Sequence, residues 1–540
     1  MKNHLTFTAI TIGILGAILV SASSFYIVLK FGALPWPTIM VTLISMSALN
    51  LFKKKDLNEI TITHTIMSAG SMVAGGVAFT MPGYLLLGGN LADIDKGLFT
   101  ITLIIGSILG AVLSYIFRKK LIEDDKLEFP IGEAAYELVM AGSKKLNMSY
   151  VAFGALFSSV IALLRDYSFK KDAAPLIPTL FTVRNTPISF YVSPLLVGIG
   201  YILGFTNTFA WFVGGALTYL VAQPLAISKG IKDFDTMKNS FGMGFMIGIG
   251  ISIILGIIFS AITSTRKKSK KSNVRYIILS VIIAFIICIN VLYKLPVVLA
   301  LVLVLICILC TIIAGYTTGK TGINPMEIYA IVTILVISFL NSLLNNLNIG
   351  GTVFHTNINL LTLFLLAGIV AIACGLAGDI LNDFKSGYKL KTDPKQQFIG
   401  ELIGAIVSSF VISFLFFVFF NVYKNIGPQA KNPELIVLQA SIVASVIHGI
   451  PFIKIFWIGL ILGMLLNTAK LPVLTFGIGV YLPFYLTIPV FVGGLIAFIV
   501  NKISKKTSNK LLLLSNGLMA GEAIVGVIIS ILAYIRLFGW

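Results

Sequence analysis

Glu522 is the residue whose type and place could do the most chemistry. It stands in Gly517-Leu518-Met519-Ala520-Gly521-Glu522-Ala523, well inside an apolar run covering 512–537. A charged side chain at the centre of a bilayer costs roughly 2.5–3.5 kcal/mol or more, so such a glutamate faces a cavity, is paired, or carries a proton. That is the behaviour required of a proton-coupling site; the plain alternative is a protonated carboxyl bonded to helix backbone. Asp379 is the second candidate. It closes another apolar run, and Asp383 follows four residues on, a spacing that puts both carboxyls on one helix face. The pair could share a proton or hold a cation, or mark a helix end meeting cytosol. Glu137 is the third, on one face of a short amphipathic helix with Glu133, from which it could reach a cavity or simply water. Glu401 falls in the first turn of its span, where the helix dipole favours an anion, and is read as structural.

Several patterns that mimic chemistry carry none. Ala314-x4-Gly319-Lys320-Thr321 has the letters of a phosphate loop, but that loop needs a buried strand before it and a nucleotide domain around it. Cys307-Ile308-Leu309-Cys310 has redox spacing, yet it lies among Leu, Val and Ile with no charge to lower a thiol pKa, so the four cysteines are packing residues. His64, His355 and His448 are far apart in sequence and have no carboxylate close by in the chain. They support no metal site, and no cofactor is expected. Neither His-Glu-x-x-His nor Gly-x-Ser-x-Gly occurs. No catalytic residue is assigned, and the chain is not read as an enzyme. A membrane-embedded enzyme such as a lipid-linked transferase is the alternative reading, and it would need a clustered acidic metal site at one interface.

The elements that must position these residues follow from composition. Of 540 residues, 57% are hydrophobic and 11% charged, against about 25% charged in soluble domains. A chain this apolar faces lipid. Runs of the ~20 residues that cross a bilayer recur throughout, giving roughly 16 spans. The first, near 7–29, is too long for a secretory signal and reads as a retained helix. The net charge of +19 sits in short loops such as 53–55, 118–120, 266–275 and 385–395, which agrees with a cytoplasmic N-terminus and not with nucleic-acid binding. Lys170-Lys171 does not fit that count unless a segment nearby is re-entrant. Arg118 to Asn147 reads as a cytoplasmic loop holding the amphipathic helix.

Two places break the helical pattern. The run 471–500 is longer than one span and is interrupted by Pro472, Pro483 and Pro489; Leu34-Pro35-Trp36-Pro37 is the other. Irregular backbone at membrane depth persists only where protein or a watery cavity satisfies it, so breaks point to solute pathways as well as to plain kinks. There is also an internal repeat. Gly198-Ile199-Gly200-Tyr201-Ile202-Leu203-Gly204-Phe205, running on to Gly214-Gly215, matches Gly477-Ile478-Gly479-Val480-Tyr481-Leu482-Pro483-Phe484, running on to Gly493-Gly494, at about half of its positions. The span count puts the two copies in opposite orientations. The fold class is therefore all-α, a polytopic transmembrane helical bundle with broken or re-entrant helices and an internal repeat. Its expected organisation is an N-terminal half 1–265, a connecting segment 266–350 and a C-terminal half 351–540.

Five segments, in order, add up to a resemblance: Leu127-Glu128-Phe129-Pro130-Ile131-Gly132-Glu133-Ala134-Ala135-Tyr136-Glu137; Ser193-Pro194 through Gly204; Asp379 through Tyr388 with Thr392-Asp393-Pro394-Lys395-Gln396-Gln397; Gly477 through Phe484; and Ser515-Asn516-Gly517 through Ala523. On these the chain resembles the oligopeptide transporter family, in its prokaryotic branch, with likeness to the yellow-stripe-like metal-chelate carriers. The stretch 264–350 carries no such motif, and the signatures of the eukaryotic peptide carriers are not evident. The resemblance implies about 16 spans and uptake driven by a proton gradient, with peptides, modified peptides or metal–chelate complexes as cargo. The expected protein is a multi-pass secondary transporter of the plasma membrane. Its partners would be the lipid bilayer, a small-molecule or peptide substrate, and a proton or other cation; a homo-oligomer is compatible with it, and no nucleic acid is expected. Gly198, Gly200, Tyr201, Asn207, Gly214, Gly477, Gly479, Tyr481 and Gly493 would line the substrate cavity, and Glu522, Asp379 and Glu137 would carry the proton.

Overall fold

A computed structural model describes residues 3–537, apart from 33–37, 53–55, 143–148, 167–175, 179, 183–188, 232, 264–273, 323, 347, 350–351, 354–357, 429, 431–432, 449, 451 and 469–471. The Pro35-Trp36-Pro37 break, the Lys53–Lys55 and Lys170-Lys171 clusters, the basic loop 266–273 and His355 lie outside the described residues. Almost all the rest is helix. Among the described residues the only paired strands are Leu180–Thr182 with Ser189–Tyr191 and Asn348–Ile349 with Thr352–Val353. Among the described residues eleven helices are long and apolar enough to cross a bilayer, and three shorter apolar ones add to them. Hydrocarbon offers backbone groups no water, and a helix satisfies them within one segment. The chain is an all-α polytopic membrane protein.

Its principal helices, in chain order, are α1 (Phe7–Phe31), α2 (Leu57–Ala78), α3 (Lys96–Arg118), α4 (Ser149–Asp166), α5 (Pro194–Ala216), α6 (Phe234–Thr263), α7 (Leu360–Leu390), α8 (Pro394–Val422), α9 (Ile453–Thr468), α10 (Val473–Tyr481), α11 (Phe484–Ile503) and α12 (Lys505–Leu537). They form two compact units. The first takes in Met1–Lys144, Ile254–Phe420 and Val437–His448; the second takes in Lys145–Ile253, Asn421–Ile436 and Gly449–Trp540. The chain-order division at 265 and 350 is thus cut across by the packing, because each unit draws on segments from both ends of the sequence. The phosphate-loop look-alike is no loop: it forms the last turns of a helix, Val297–Thr321, closed by Gly322 in the left-handed conformation. The amphipathic helix expected in 118–147 is Pro130–Gly142.

In the first unit, α2 and α7 are the interior. Glu59 to Ala78 and Leu363 to Gly387 are buried without interruption. The hydroxyls this encloses are mostly returned to their own helix, as when Thr61 donates to Leu57 O and Thr63 to Glu59 O. Small residues let the neighbours close in. A Cβ added to Gly404 of α8 would overlap the carbonyl oxygen of Ile66, and one on Gly110 of α3 would press on the Ala373 backbone.

The second unit is a duplication with the copies interlocked. The shift that takes Gly198 to Gly477 also maps the packing. A Cβ on Gly200 would overlap the Val490 carbonyl, and one on the equivalent Gly479 would overlap the carbonyl of Trp211, the equivalent of Val490. Gly214 meets Phe476 O, and its counterpart Gly493 meets Val197 O. As one partner's number rises the other's falls, so α5 runs antiparallel to α10 and α11, as the opposite-orientation reading of the repeat expected. The relation extends further than the sequence echo. Gly154, Gly517 and Gly521 press on Leu514 O, Val151 O and Ala155 O where α4 meets α12. Gly459, Gly244 and Gly248 press on Phe241 O, Phe456 O and Leu460 O where α9 meets α6. The two sets correspond position for position. One copy is therefore α4, α5 and α6, the other α9, α10–α11 and α12, and the first helix of each packs on the last helix of the other.

Candidate functional site

Each unit buries one concentration of charge. In the first, α2 contributes His64 and Ser68, α7 contributes Asp379 and Asp383, and α8 contributes Glu401. His64, 3% exposed, meets Asp383 Oδ1 through Nε2 at 3.0 Å, while its Nδ1 lies 3.1 Å from Thr42 Oγ1. Ser68 Oγ donates to Asp383 Oδ2 at 2.7 Å. Gln397 Nε2 donates to the Asp383 carbonyl at 2.9 Å and braces that turn of α7. Asp383 is thus fully engaged.

Asp379 and Glu401 are in the opposite condition. Both are wholly buried, and among the described residues neither carboxylate meets a donor at good hydrogen-bond geometry, although Ser68 lies near Asp379 and Asp383 near Glu401. Asp379 lies within electrostatic reach of Asp383 and His64, and Glu401 within reach of both aspartates. Lys385, two residues past Asp383, does not relieve them: its ammonium donates to Leu127 O at 2.8 Å and sits 3.6 Å from Glu133 Oε1. The arrangement is three carboxylates against one imidazole in a place closed to water. Such a group can take up or give up protons. Among the described residues no three His, Cys, Asp or Glu side chains converge in a way that could hold a metal ion.

Asp379 and Asp383 do share a face, and α7 runs on to Leu390, so neither marks a helix end. His64 and Glu401 were not read as functional from the sequence. His64 was set aside for want of a nearby carboxylate, and its carboxylate proves to be 319 residues away. Glu401 was read as a dipole-favoured anion in a first turn, whereas it faces the buried acids. The shared signal available beforehand was an ionisable residue in an apolar span. Glu137 lies in the helix Pro130–Gly142, and its side chain is outside what the structure describes.

The second unit holds Glu522 in a dense set of contacts. Arg165 Nη1 on α4 donates to Glu522 Oε1 at 2.8 Å, as does Ser193 Oγ at 2.8 Å, and the Leu195 N–H donates to Oε2 at 2.8 Å. Ser193 is the N-cap of α5, accepting from Leu196 N at 3.2 Å, so the carboxylate sits on a helix N-terminus where the dipole favours it. Arg165 also donates to Val192 O at 2.6 Å and to Asp166, and its guanidinium lies 4.7 Å from the Tyr191 ring centre. Neither Arg165 nor Glu522 has an exposed side-chain atom. Sequence reading missed Arg165 because it stands at the very end of its apolar run, where a basic residue looks like a loop residue.

The same unit contains two breaks at equivalent positions. Within α5, Gly204 has φ 74° and ψ 169°, a conformation open to glycine. In the other copy that position is Pro483, where α10 has ended at Tyr481, Leu482 is extended, and α11 begins at Phe484. The residues expected to line a cavity surround these breaks, but most of the glycines are filled by protein. Gly200, Gly214, Gly479 and Gly493 press on opposing carbonyls, Gly198 on Ser515 O, and Gly477 on Phe245 and Met246. Tyr201 OH donates to Ser508 O at 3.0 Å, Asn207 Nδ2 to Leu203 O at 2.9 Å, and the buried Tyr481 ring packs over Gly242.

The sequence profile of the family described as "OPT oligopeptide transporter protein" matches residues 4–265 and 263–533. A protein of Haemophilus influenzae described as "Putative oligopeptide transporter" is 24% identical, over 94% of this chain and 92% of its own length.

Proposed function

The chain belongs to the OPT oligopeptide transporter family, and from that premise we propose that it is a proton-coupled symporter of the plasma membrane, carrying small peptides, modified peptides or metal–chelate complexes. One observation carries the coupling: among the described residues Asp379 and Glu401 are buried with no counter-charge of their own, beside the engaged pair of His64 and Asp383. Charge inside a protein held in lipid must be matched or neutralised. An imidazolium at His64 balances one carboxylate. The other two then carry protons, and these are the protons exchanged during transport. A gradient does work through such a group only if the protons are held more tightly in one access state than in the other. Burial that differs between the states provides that difference.

The cargo is read at the two equivalent breaks of the second unit, at Gly204 and at Leu482-Pro483. There backbone groups leave the helical ladder, and Tyr201, Asn207 and Tyr481 stand close by in sequence. Antiparallel, duplicated, interrupted helices are a recurring way to present backbone dipoles to a solute near mid-membrane.

The test is uptake into proteoliposomes with and without an inward proton gradient, offering short peptides and metal chelates in parallel. Gradient-dependent uptake of one class is expected. Accumulation indifferent to the gradient would remove the coupling, and absence of uptake for every class would remove the cargo assignment.

A further inference from the structure

The duplication in the second unit is close in its packing and broken in its chemistry. The correspondence that places Gly517 with Gly244 and Gly521 with Gly248 places Glu522 with Ile249. It also places Ser193, the N-cap of α5, with Pro472, which precedes α10 and makes no side-chain cap. Around the start of α5 there is an ion pair, a hydroxyl and a capped amide. Among the described residues around the start of α10 there is an apolar cluster of Phe245, Ile249 and Val473, with Phe241 and Phe476 against it; Lys470, which the correspondence of Gly154 with Gly459 places with Arg165, lies outside the described residues. Two helices that are equivalent by descent within the chain are thus held by different forces.

We propose that Glu522 is a fixed counter-charge that, with Arg165, locks the first turn of α5 to α12 and α4, and that the equivalent first turn of α10 carries no such lock. This rests on the transport reading above. The physical reason is directionality. Moving α5 off α12 would strand a desolvated carboxylate, a desolvated guanidinium and the Leu195 N–H together, because each is satisfied by the others in a single geometry. The first turn of α10 meets α6 through Val473, Ile249 and Phe245, apolar contacts that leave no charge or donor stranded when they shift. Glu522 is then a positioning residue, held by Arg165, Ser193 and the Leu195 N–H, and the proton traffic lies with Asp379 and Glu401.

The full-length protein in nanodiscs tests this by hydrogen exchange, corrected for intrinsic rates, across the range from mildly acid to mildly alkaline pH. The amides of Leu195 and Leu196 should exchange at least about tenfold more slowly than those of Leu474 and Thr475, with a protection that does not vary with pH. Protection at Leu195 that titrates, or equal protection in the two copies, would overturn the proposal. Variants give a second reading. Glu522→Gln and Arg165→Met, made singly, should lower Tm and lose the protection at Leu195. Glu522→Met with Arg165→Met, which removes both buried charges together, should recover Tm and keep gradient-driven uptake. If that double variant folds and exchanges cargo by counterflow but no longer responds to a proton gradient, Glu522 is a proton carrier and the proposal is wrong. If the double variant does not fold, the wild-type exchange profile still decides. Should wild-type protein transport nothing while the exchange profile is as stated, the transport reading fails and the lock stands.

Discussion

His64 on α2 and Asp383 on α7 are joined Nε2 to Oδ1 at 3.0 Å across 319 residues of chain, with both side chains inside the protein. Each explains the other. Asp383 alone would be a buried anion with only Ser68 donating to it, and His64 alone would be a polar ring in the packed interior between α2 and α7.

Replacing His64 with Ala should therefore destabilise the protein by about 3–5 kcal/mol, the usual consequence of removing one partner from a buried charged pair. Thermal denaturation of the purified protein in detergent measures it. A variant as stable as wild type would mean that Asp383 is held neutral and that His64 is not its counter-charge.

Asp379→Asn and Glu401→Gln should behave differently from His64→Ala. Each amide is close in shape to a protonated carboxyl and can keep the same neighbours, and neither carboxylate has a hydrogen bond of good geometry among the described residues, so stability should change by no more than about 1 kcal/mol. Uptake against a concentration gradient should fall at least roughly tenfold while counterflow of the same cargo continues, because binding persists and the link to protons is gone. Variants that still accumulate cargo under a proton gradient would clear these two residues.

Gly200→Ala and Gly479→Ala test the duplication. Each added methyl would meet a carbonyl oxygen of the opposing helix, and the two contacts are equivalent. Both should cost about 1–3 kcal/mol through overpacking, with Tm losses that agree with each other. Gly256, which has nothing within 4 Å of an added Cβ, is the control: Ala there should be neutral or stabilising by roughly 0.5–1 kcal/mol in a helix interior. Unequal losses at 200 and 479 would argue against a shared packing rule.

The two breaks should respond unequally. Gly204→Ala puts a Cβ on backbone at φ 74°, ψ 169° and should cost about 1–3 kcal/mol. Pro483→Ala changes a residue at φ −55°, ψ 138°, which any side chain adopts, and should cost less than about 1 kcal/mol. Tm of the two variants, read alongside uptake, separates backbone strain at the break from loss of the break itself.

Much of this molecule was legible in order along the chain. Long apolar runs dictated helices because lipid leaves backbone groups no other partner, and the Pro-interrupted run 471–500 duly divides, at Leu482-Pro483. The repeated glycines announced a duplication, since close helix approach needs small residues on both sides. Asp379 and Glu522 stood out because an acid inside an apolar run always requires a reason. What the reason was could not be read from position. Periodicity reports neighbours three and four residues away, whereas Asp383 is completed by His64, Glu522 by Arg165 and by the first turn of α5, and Glu401 by acids on another helix. Those pairings depend on which helices the packing brings together, and the packing joins the two ends of the chain within each unit. Amino-acid order thus settled that this chain lives in a membrane and which acids were out of place there. Only the tertiary structure decided which of them found a counter-charge and which were left without one.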